Sequence, residues 1–496
     1  MMMNALNKTL LSVSVALGLS ACASVKTADT YDLDFSKQKY TEQSIEVNGQ
    51  AVKFRAYEGV VYVRNPVDTR YEIINIYVPE AYYNDGFNAE TAPIFLPNQI
   101  GGYMPAKPGK PALEGKRGEP EDGQKSPNAA LVALSKGYVV ASPGARGRTE
   151  PTGKAPAAIV DLKAAVRYLK ANDKVMPGDA EKIISNGTSA GGAMSALLGA
   201  TADQKDYEKY LKALGAADGS DKVFAVSAYC PITDLDHADM AYEWQFNGVN
   251  DYKKMNVSML DYHVKRELVA GTLTDDEKKL SDLLKPLYPA YLNSLNLKSP
   301  EGKPLTLDAQ GNGSFKNHIA GLLAQSAQTQ LDAGKDLSDR TWLTIRKGKV
   351  VSVDFDAYAK AAGRQKTPPA FDGVDLSAGE NQLFGTNTVD KRHFTAFSMQ
   401  HNTAANAEIA DEETIKIMNP LNYIGKPGIN LPQNWRIRVG TNDRDTSLAV
   451  SAVLAAKLQN NGQTVDYALP WDVGHSGDYD LDELFAWMKQ VSNSAK

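Results

Sequence analysis

The chain contains a serine whose neighbouring residues are typical of an enzyme nucleophile. Ser189 lies in the run Gly187-Thr188-Ser189-Ala190-Gly191, between a strand-like run at 182–186 and an alanine-rich helical run at 192–200. G-x-S-x-G in a strand–turn–helix context predicts a tight turn that exposes the serine hydroxyl above a sheet edge. A serine hydroxyl needs a neighbouring base, which is itself oriented by a carboxylate. The motif therefore predicts acyl transfer through Ser189.

The base and the acid are expected after later strands, because hydrolases with this turn carry serine, acid and histidine in that chain order. The chain has six histidines, and His475 is the one that follows a late strand-like run. Asp443 follows the strand-like run before it and takes the acid position. Asp445 is a rival for that position and Asp472 is a weaker one. The expected catalytic triad is Ser189, Asp443 and His475.

A tetrahedral acyl intermediate also needs two backbone N–H donors, and loss of one of them costs about 3 kcal/mol. The first donor is expected to be the amide of Ala190, directly after the nucleophile. The second is expected in the glycine-containing loop that follows a strand-like run at 93–97, where Gly102 is favoured over Gly101. The pattern therefore predicts an oxyanion hole formed by Ala190 and Gly102.

A mostly parallel sheet flanked by helices is needed to bring these residues together. Apolar strand-like runs alternate with helical runs, which is typical of βαβ units. The strand-like runs lie at 93–97, 138–142, 182–186, 224–228, 435–439 and 465–469, and the helical runs at 159–170, 447–460 and 481–491. The alternation stops after about Asp234 and resumes near Trp435. We therefore expect an α/β-hydrolase fold with a large inserted lid domain.

The expected domain organisation follows from this interruption. The first part of the hydrolase core is predicted at 44–234, the inserted lid domain at 235–415 and the second part of the core at 416–496. An insert of about 180 residues is within the ordinary size range of a domain. Beta-rich runs between residues 44 and 78 predict an antiparallel entry into the sheet.

A polar cluster lies at the first junction of the insert. Asp234, Asp236, His237 and Asp239 are oxygen-rich in the manner of a metal site, but their spacing matches no recognised ligand pattern. We therefore expect this cluster to cap and anchor the lid junction, and we predict no metal site.

The N-terminus has the features of a lipoprotein leader. A positively charged start is followed by an apolar stretch at 9–19, which is too short to span a membrane. The tetrad Leu19-Ser20-Ala21-Cys22 resembles the lipobox of bacterial lipoproteins, in which the cysteine is acylated and becomes the mature N-terminus. Residues 1–21 are therefore predicted to be a signal peptide.

An acylated Cys22 would anchor the protein to a membrane, since each buried CH₂ group contributes about 0.8 kcal/mol. The next residue is Ala23, whereas an aspartate at this position is associated with inner-membrane retention. The expected location is therefore the cell envelope, at the outer membrane. The polar residues 22–43 are predicted to form a tether.

The composition excludes some classes of function. The net charge is −5, with 43% hydrophobic and 23% charged residues, which is ordinary for a soluble globular protein. Because there is no long basic run, nucleic acid is not an expected partner. The second cysteine, Cys230, lies in an apolar run and is expected to be a buried thiol outside the chemistry.

Several long runs of this chain resemble bacterial tannases of the subtype B group. They are NGTSAGG at 186–192, AVSAYCPI at 225–232, HADMAYEWQFNG at 237–248, WRIR at 435–438, DTS at 445–447, ALPWD at 468–472 and HSGDYD at 475–480. The resemblance covers nearly all of the chain after residue 44. It implies an α/β-hydrolase with a large lid that cleaves the ester between gallic acid and an alcohol or another gallate, without a cofactor.

The resemblance also implies roles for individual residues. It places the triad acid at Asp443 and assigns recognition of the three galloyl hydroxyls to Lys366, Glu380 and Asp445. Phenolic hydroxyls donate to carboxylates and accept from an ammonium, and such charge-assisted hydrogen bonds are about twice as strong as neutral ones. Taken alone, Lys366 and Glu380 look like ordinary surface charges. The expected partner is therefore a small galloyl ester.

Three other functions are compatible with parts of the sequence. Another carboxylic esterase, for hydroxycinnamate or acetyl esters, would share the fold and the triad. The run Gly440-Thr441-Asn442-Asp443 is also compatible with a serine exopeptidase, but the short-strand repeats of a propeller domain are missing from the sequence. A non-catalytic surface binding protein would not need a complete triad. The preferred ester and the oligomeric state stay open.

Overall fold

The computed structural model describes residues 30–84, 92–115, 125–260 and 263–493. Cys22, the predicted signal peptide and the first part of the predicted tether lie outside the described residues. Within those ranges, no helix combines the length and the apolar character needed to cross a membrane.

Fifteen strands are present in the described part of the chain. They are β1 Thr41–Val47, β2 Gln50–Val61, β3 Ile73–Pro79, β4 Pro93–Pro97, β5 Leu113–Glu114, β6 Ser126–Pro127, β7 Val139–Pro143, β8 Asp179–Thr188, β9 Ala225–Tyr229, β10 Asp251–Leu260, β11 His263–Thr272, β12 Leu343–Arg346, β13 Lys349–Val353, β14 Asn434–Arg438 and β15 Thr464–Ala468.

Nine of these strands form one sheet in the order β1-β2-β3-β7-β4-β8-β9-β14-β15. The strands from β7 to β15 in this order are parallel. β1, β2 and β3 are antiparallel, and β3 pairs antiparallel with β7. The expected antiparallel entry and the α/β-hydrolase architecture are therefore confirmed.

Fourteen α-helices accompany these strands in the described ranges. They are α1 Ala129–Ser135, α2 Ala157–Ala171, α3 Ala190–Ala200, α4 Glu208–Ala213, α5 Leu235–Phe246, α6 Asp275–Leu284, α7 Leu287–Ser294, α8 Ser314–Asp332, α9 Phe355–Ala362, α10 Gly379–Leu383, α11 Ala396–Gln400, α12 Glu412–Ile417, α13 Leu448–Asn460 and α14 Leu481–Asn493. Apolar side chains of α2, α3, α5 and α13 join the main core cluster, whereas α1 and α14 contribute to a second cluster on the sheet.

The chain leaves the sheet after β9 and returns at β14. The intervening residues form α5 to α12 and the hairpins β10–β11 and β12–β13. The predicted boundary after residue 415 falls inside α12. This helix contacts the hydrolase core, because Tyr207 donates to the carbonyl of Ile417 at 2.5 Å and Lys416 pairs with Asp206 at 2.7 Å. The predicted boundary thus falls within a helix that is bonded to the core.

The predicted tether is also too long. Leu33 and Phe35 are buried, and the amide of Phe35 donates to the side chain of Asn172 at 2.9 Å. The Asn172 amide group in turn donates to the carbonyl of Leu33 at 2.9 Å. Because these apolar side chains pack on the core, residues from Leu33 onward belong to the folded domain.

The polar cluster at the start of α5 joins the lid to the core through hydrogen bonds. His237 Nδ1 lies 2.8 Å from Asp234 Oδ1, and Asn419 donates to Asp234 at 2.6 Å and to Asp236 at 2.8 Å. Tyr291 also donates to Asp234. Burial lowers the pKa of His237, but Asp234 and Asp236 outweigh it and raise the pKa to about 10. A charged histidine therefore joins these carboxylates at the junction.

Candidate active site

The parallel strands bring distant parts of the chain to one edge of the sheet. β8 pairs with β9, β9 with β14 and β14 with β15, so the loops after these strands leave from the same edge. Ser189 follows β8, Asp443 follows β14 and His475 follows β15. Ligand sites of open parallel sheets lie at this carboxyl edge.

The turn that carries Ser189 is strained. Ser189 has φ 60° and ψ −123°, a conformation that side-chain-bearing residues rarely adopt, and its amide donates to the carbonyl of Tyr229 at 2.9 Å. A Cβ atom at Gly187 would collide with the carbonyl of Gly191, and one at Gly191 would lie 2.7 Å from the carbonyl of Ile100. The two motif glycines are therefore required by close backbone packing.

The side chains of the predicted triad form one hydrogen-bonded chain. His475 Nε2 lies 2.7 Å from Ser189 Oγ, and His475 Nδ1 lies 2.8 Å from Asp443 Oδ2. Asp443 is fully buried and also accepts from the amide of Asp445 at 2.9 Å. Asp472 points elsewhere, since it pairs with Arg340 at 2.9 Å. This geometry favours Asp443 over both sequence rivals as the partner of the histidine.

The loop after β14, which carries Asp443, and the loop after β15, which carries His475, are joined by backbone hydrogen bonds. The amide of Asn442 donates to the carbonyl of Val473 at 2.9 Å, and the amide of Thr441 donates to the carbonyl of Pro470 at 2.8 Å. Tyr358 of α9 donates to the carbonyl of Thr441 at 2.7 Å. These bonds fix the position of the imidazole relative to its acid.

The loop after β4 packs against the serine turn. Asn98 donates to the carbonyl of Gly191 at 3.1 Å and to Ser195 Oγ at 3.0 Å. Gly102 lies further along this loop with φ +55°, and Arg148 donates to its carbonyl at 2.7 Å. The amide of Ala190 belongs to the first turn of α3, where N–H groups have no acceptor within the helix. The structure thus places both predicted oxyanion donors in segments that border Ser189.

Arg148 also reaches the lid. Its Nη1 donates to Gln382 Oε1 in α10 at 2.6 Å, and its guanidinium lies against Gly379. The side chain therefore joins the loop of Gly102 to the short helix that carries Glu380.

Charges around His475 set the proton affinity of the imidazole. Burial lowers the pKa of His475, but the carboxylates of Asp443 and Asp445 outweigh burial and raise the pKa well above its usual value. Asp445 Oδ2 lies 3.5 Å from His475 Nε2. A general base must be unprotonated, so the active fraction of the free protein grows as the pH rises.

The three residues assigned to hydroxyl recognition line one cavity of about 740 Å³. Lys366 Nζ lies 3.4 Å from Asp445 Oδ2, and Gln365 donates to Asp445 Oδ1 at 3.0 Å. Burial raises the pKa of Glu380. Burial acts in the same direction on Asp445, but the charges of Lys366 and His475 outweigh it and lower the pKa of Asp445. These three residues therefore present one ammonium and two carboxyl groups to a polar ligand in this cavity.

Other residues at the site were not expected from the sequence. Gln365, Arg148 and Tyr242 take part through hydrogen bonds between distant segments, which for Tyr242 is a bond from its hydroxyl to the carbonyl of Arg444 at 2.8 Å. The sequence carries no local signal for such bonds. Cys230 is buried as expected, and burial raises the pKa of its thiol. Its Sγ nevertheless lies 3.9 Å from His475 Nε2, so this cysteine borders the triad.

Known proteins resemble both the sequence and this geometry. A family model described as BD-FAE matches residues 116–273. No curated protein matches the chain. Among solved structures, the tannase of Fusobacterium nucleatum is 50% identical with a TM-score of 0.88, and the match covers 93% of this chain and 100% of that chain. This chain belongs to the bacterial tannase family.

Other tannases agree with this assignment. The Lactobacillus plantarum tannase is 42% identical with a TM-score of 0.87, and the match covers 93% of this chain and 99% of that one. A tannin acyl hydrolase solved in complex with ethyl gallate is 43% identical with a TM-score of 0.84, over 93% and 99% of the two chains. The family resemblance is thereby confirmed, and this tannase-family member is an ester hydrolase.

The electrostatics of His475 predict how the pH dependence of activity responds to Asp445. Asp445→Asn removes a carboxylate that raises the pKa of His475, so the pKa should fall. The acidic limb of kcat/KM should then move to lower pH. The assay is hydrolysis of 4-nitrophenyl acetate, which has no ring hydroxyls for Asp445 to bind. A limb that stays in place or moves to higher pH would contradict this account of the site.

Proposed function

We propose that this tannase-family protein hydrolyses galloyl esters with Ser189 as nucleophile, His475 as general base and Asp443 as the acid that orients it. The observation that carries the proposal is the continuous hydrogen-bonded chain from Ser189 Oγ through His475 to Asp443, at 2.7 and 2.8 Å. These distances are within the range over which a proton passes between nucleophile and base.

The reaction follows from this arrangement in two half-reactions. His475 Nε2 takes the proton of Ser189 Oγ as the oxygen attacks the galloyl carbonyl carbon, and the amides of Ala190 and Gly102 stabilise the resulting oxyanion. His475 then gives the proton to the departing alcohol, which leaves a galloyl ester on Ser189. In the second half, His475 takes a proton from water, the hydroxide attacks the acyl carbon, and Ser189 regains its proton as gallate leaves.

Recognition of the acyl group is assigned to Lys366, Glu380 and Asp445. Two carboxyl groups that accept and one ammonium that donates suit a ring with three adjacent hydroxyls. The solved relative that holds ethyl gallate supports this substrate class. A site built around substrate hydroxyls discriminates strongly against analogues that lack them, because its own polar groups would then stay unpaired.

The N-terminal sequence supports an outer-membrane location for this activity. A lipid on Cys22 would tether the hydrolase domain to the outer membrane through the short polar segment that ends before Leu33. The tetrad Leu19-Ser20-Ala21-Cys22 is the observation that supports this part of the proposal.

The first test compares methyl gallate with methyl benzoate as substrates of the purified protein. Methyl gallate should be strongly preferred, because methyl benzoate leaves the three polar side chains unpaired. Ser189→Ala should lower kcat on methyl gallate by at least ~10⁴-fold without changing the circular dichroism spectrum. Equal rates on the two esters would show that the protein is an esterase with no preference for galloyl groups. An active Ser189→Ala variant would overturn the mechanism.

Glu380→Gln tests the acyl-binding assignment separately from the triad. The substitution keeps the shape of the side chain but removes a charged acceptor, which should lower kcat/KM for methyl gallate about 10- to 100-fold. The rate on 4-nitrophenyl acetate should be nearly unchanged, because its acetyl group has no hydroxyls for Glu380 to bind. Equal losses on both substrates would remove Glu380 from the galloyl site.

Cys22→Ser tests the lipid anchor in cells that express the full chain. The wild-type protein should fractionate with membranes and partition into detergent, whereas Cys22→Ser should become soluble. Cys230→Ser removes the other cysteine and should stay in the membrane fraction. A wild-type protein found in the soluble fraction would exclude the anchor.

A further inference from the structure

Tyr242 lies where the lid meets the hydrolase core. It belongs to α5, the first helix after the chain leaves the sheet, and its side chain is fully buried. α5 also contacts the core, because Gln245 Oε1 accepts from Ser447 Oγ at 3.0 Å and from the amide of Leu448 at 2.9 Å. Tyr242 therefore occupies a fixed position between the two parts of the molecule.

The hydroxyl of Tyr242 makes three hydrogen bonds to two distant segments. It donates to the carbonyl of Arg444 at 2.8 Å. It accepts from the amide of Gln365 at 3.0 Å and from the amide of Lys366 at 3.1 Å. One donor and two acceptor sites are all that a tyrosine hydroxyl offers, so its capacity is fully used.

Each of these segments carries one side of the polar cavity. The carbonyl of Arg444 directly precedes Asp445, and the two amides belong to Gln365 and Lys366. Gln365 also bonds Asp445 through its side chain, and Lys366 lies within 3.4 Å of the same carboxylate. The hydroxyl therefore holds together the backbones from which Lys366 and Asp445 project into the cavity. Ser189 and the loop of Gly102 belong to other segments of the chain.

We propose that Tyr242 is a positioning residue for acyl-group recognition, whose hydroxyl sets the separation of Lys366 and Asp445. The proposal rests on the proposed galloyl function of these two residues. Its role is distinct from the chemistry at Ser189, because its three hydrogen bonds go to Arg444, Gln365 and Lys366 and none goes to a triad residue. Loss of the hydroxyl should therefore weaken binding of hydroxylated acyl groups and leave the nucleophile competent.

Tyr242→Phe removes only the hydroxyl and leaves two amides and one carbonyl without their partner. For methyl gallate, kcat/KM should fall by about tenfold or more, mainly through a higher KM. For 4-nitrophenyl acetate, the change should be less than about twofold. Equal losses on both substrates, or no loss on methyl gallate, would overturn the proposal.

Tyr288→Phe is the matched control. Tyr288 of α7 is also buried in the lid, but its hydroxyl makes no hydrogen bond to the residues that the structure describes. This variant should keep the wild-type kinetics on both substrates. A methyl gallate defect as large as that of Tyr242→Phe would mean that any buried lid hydroxyl has this effect, which would overturn the specific role.

A double substitution separates positioning from general destabilisation. In a Lys366→Met background, Tyr242→Phe should cost much less on methyl gallate than it does in the wild type, since one of the groups that it positions is gone. Fully additive losses would show that Tyr242 does not act through Lys366. The gallate preference of the wild-type protein is measured independently, so failure of the proposed function and failure of this role give different results.

If Tyr242→Phe does not fold, amide hydrogen exchange of the wild-type protein tests the hydrogen bonds of the Tyr242 hydroxyl instead. The amides of Gln365 and Lys366 should exchange slowly, because both donate to a buried hydroxyl. Exchange at the rate of an exposed loop would overturn the proposal.

Discussion

A buried ion pair between Glu243 and Arg364 is the interaction on which the arrangement of the lid depends. Both side chains are fully buried, and Arg364 also donates to the carbonyl of Phe246 at 3.2 Å. A buried charge is costly when it is left unpaired, and removing one partner of a buried ion pair costs about 3–5 kcal/mol. Because Arg364 directly precedes Gln365 and Lys366, the pair holds the start of the acyl-binding segment against α5.

Two further carboxylates, at and near the start of α5, extend this arrangement. Asp239 accepts from the amides of Phe371 and Asp372 at 2.6 and 3.2 Å, and its pKa is raised to about 8 by burial and by the charge of Asp372. With Asp234 at the start of α5 and Glu243 near its end, the helix fixes the lid through polar contacts along its whole length. The position of these lid segments is therefore set by α5, which itself packs on the core.

Catalysis and recognition share one loop in this tannase-family protein. Asp443 orients His475, while Asp445, two residues later, faces Lys366 and donates its amide to the carboxylate of Asp443. The carboxylate of Asp443 both orients the imidazole and raises its pKa, and the carboxylate of Asp445 raises the pKa further. Loss of the Asp445 charge should therefore change the proton affinity of His475.

The sequence by itself determined the features that depend on local geometry and chain order. The serine turn needs its glycines within five residues, and parallel strands bring Asp443 and His475 to the edge where Ser189 lies. The roles of Lys366 and Glu380 needed the family resemblance, because isolated charges carry no local signal. Tertiary structure alone decided the contacts of Tyr242 and Arg148, the packing of Leu33 and Phe35 on the core and the contact of α12 with the core. These features depend on which distant backbones meet, and that is set by packing of the whole chain rather than by any local pattern.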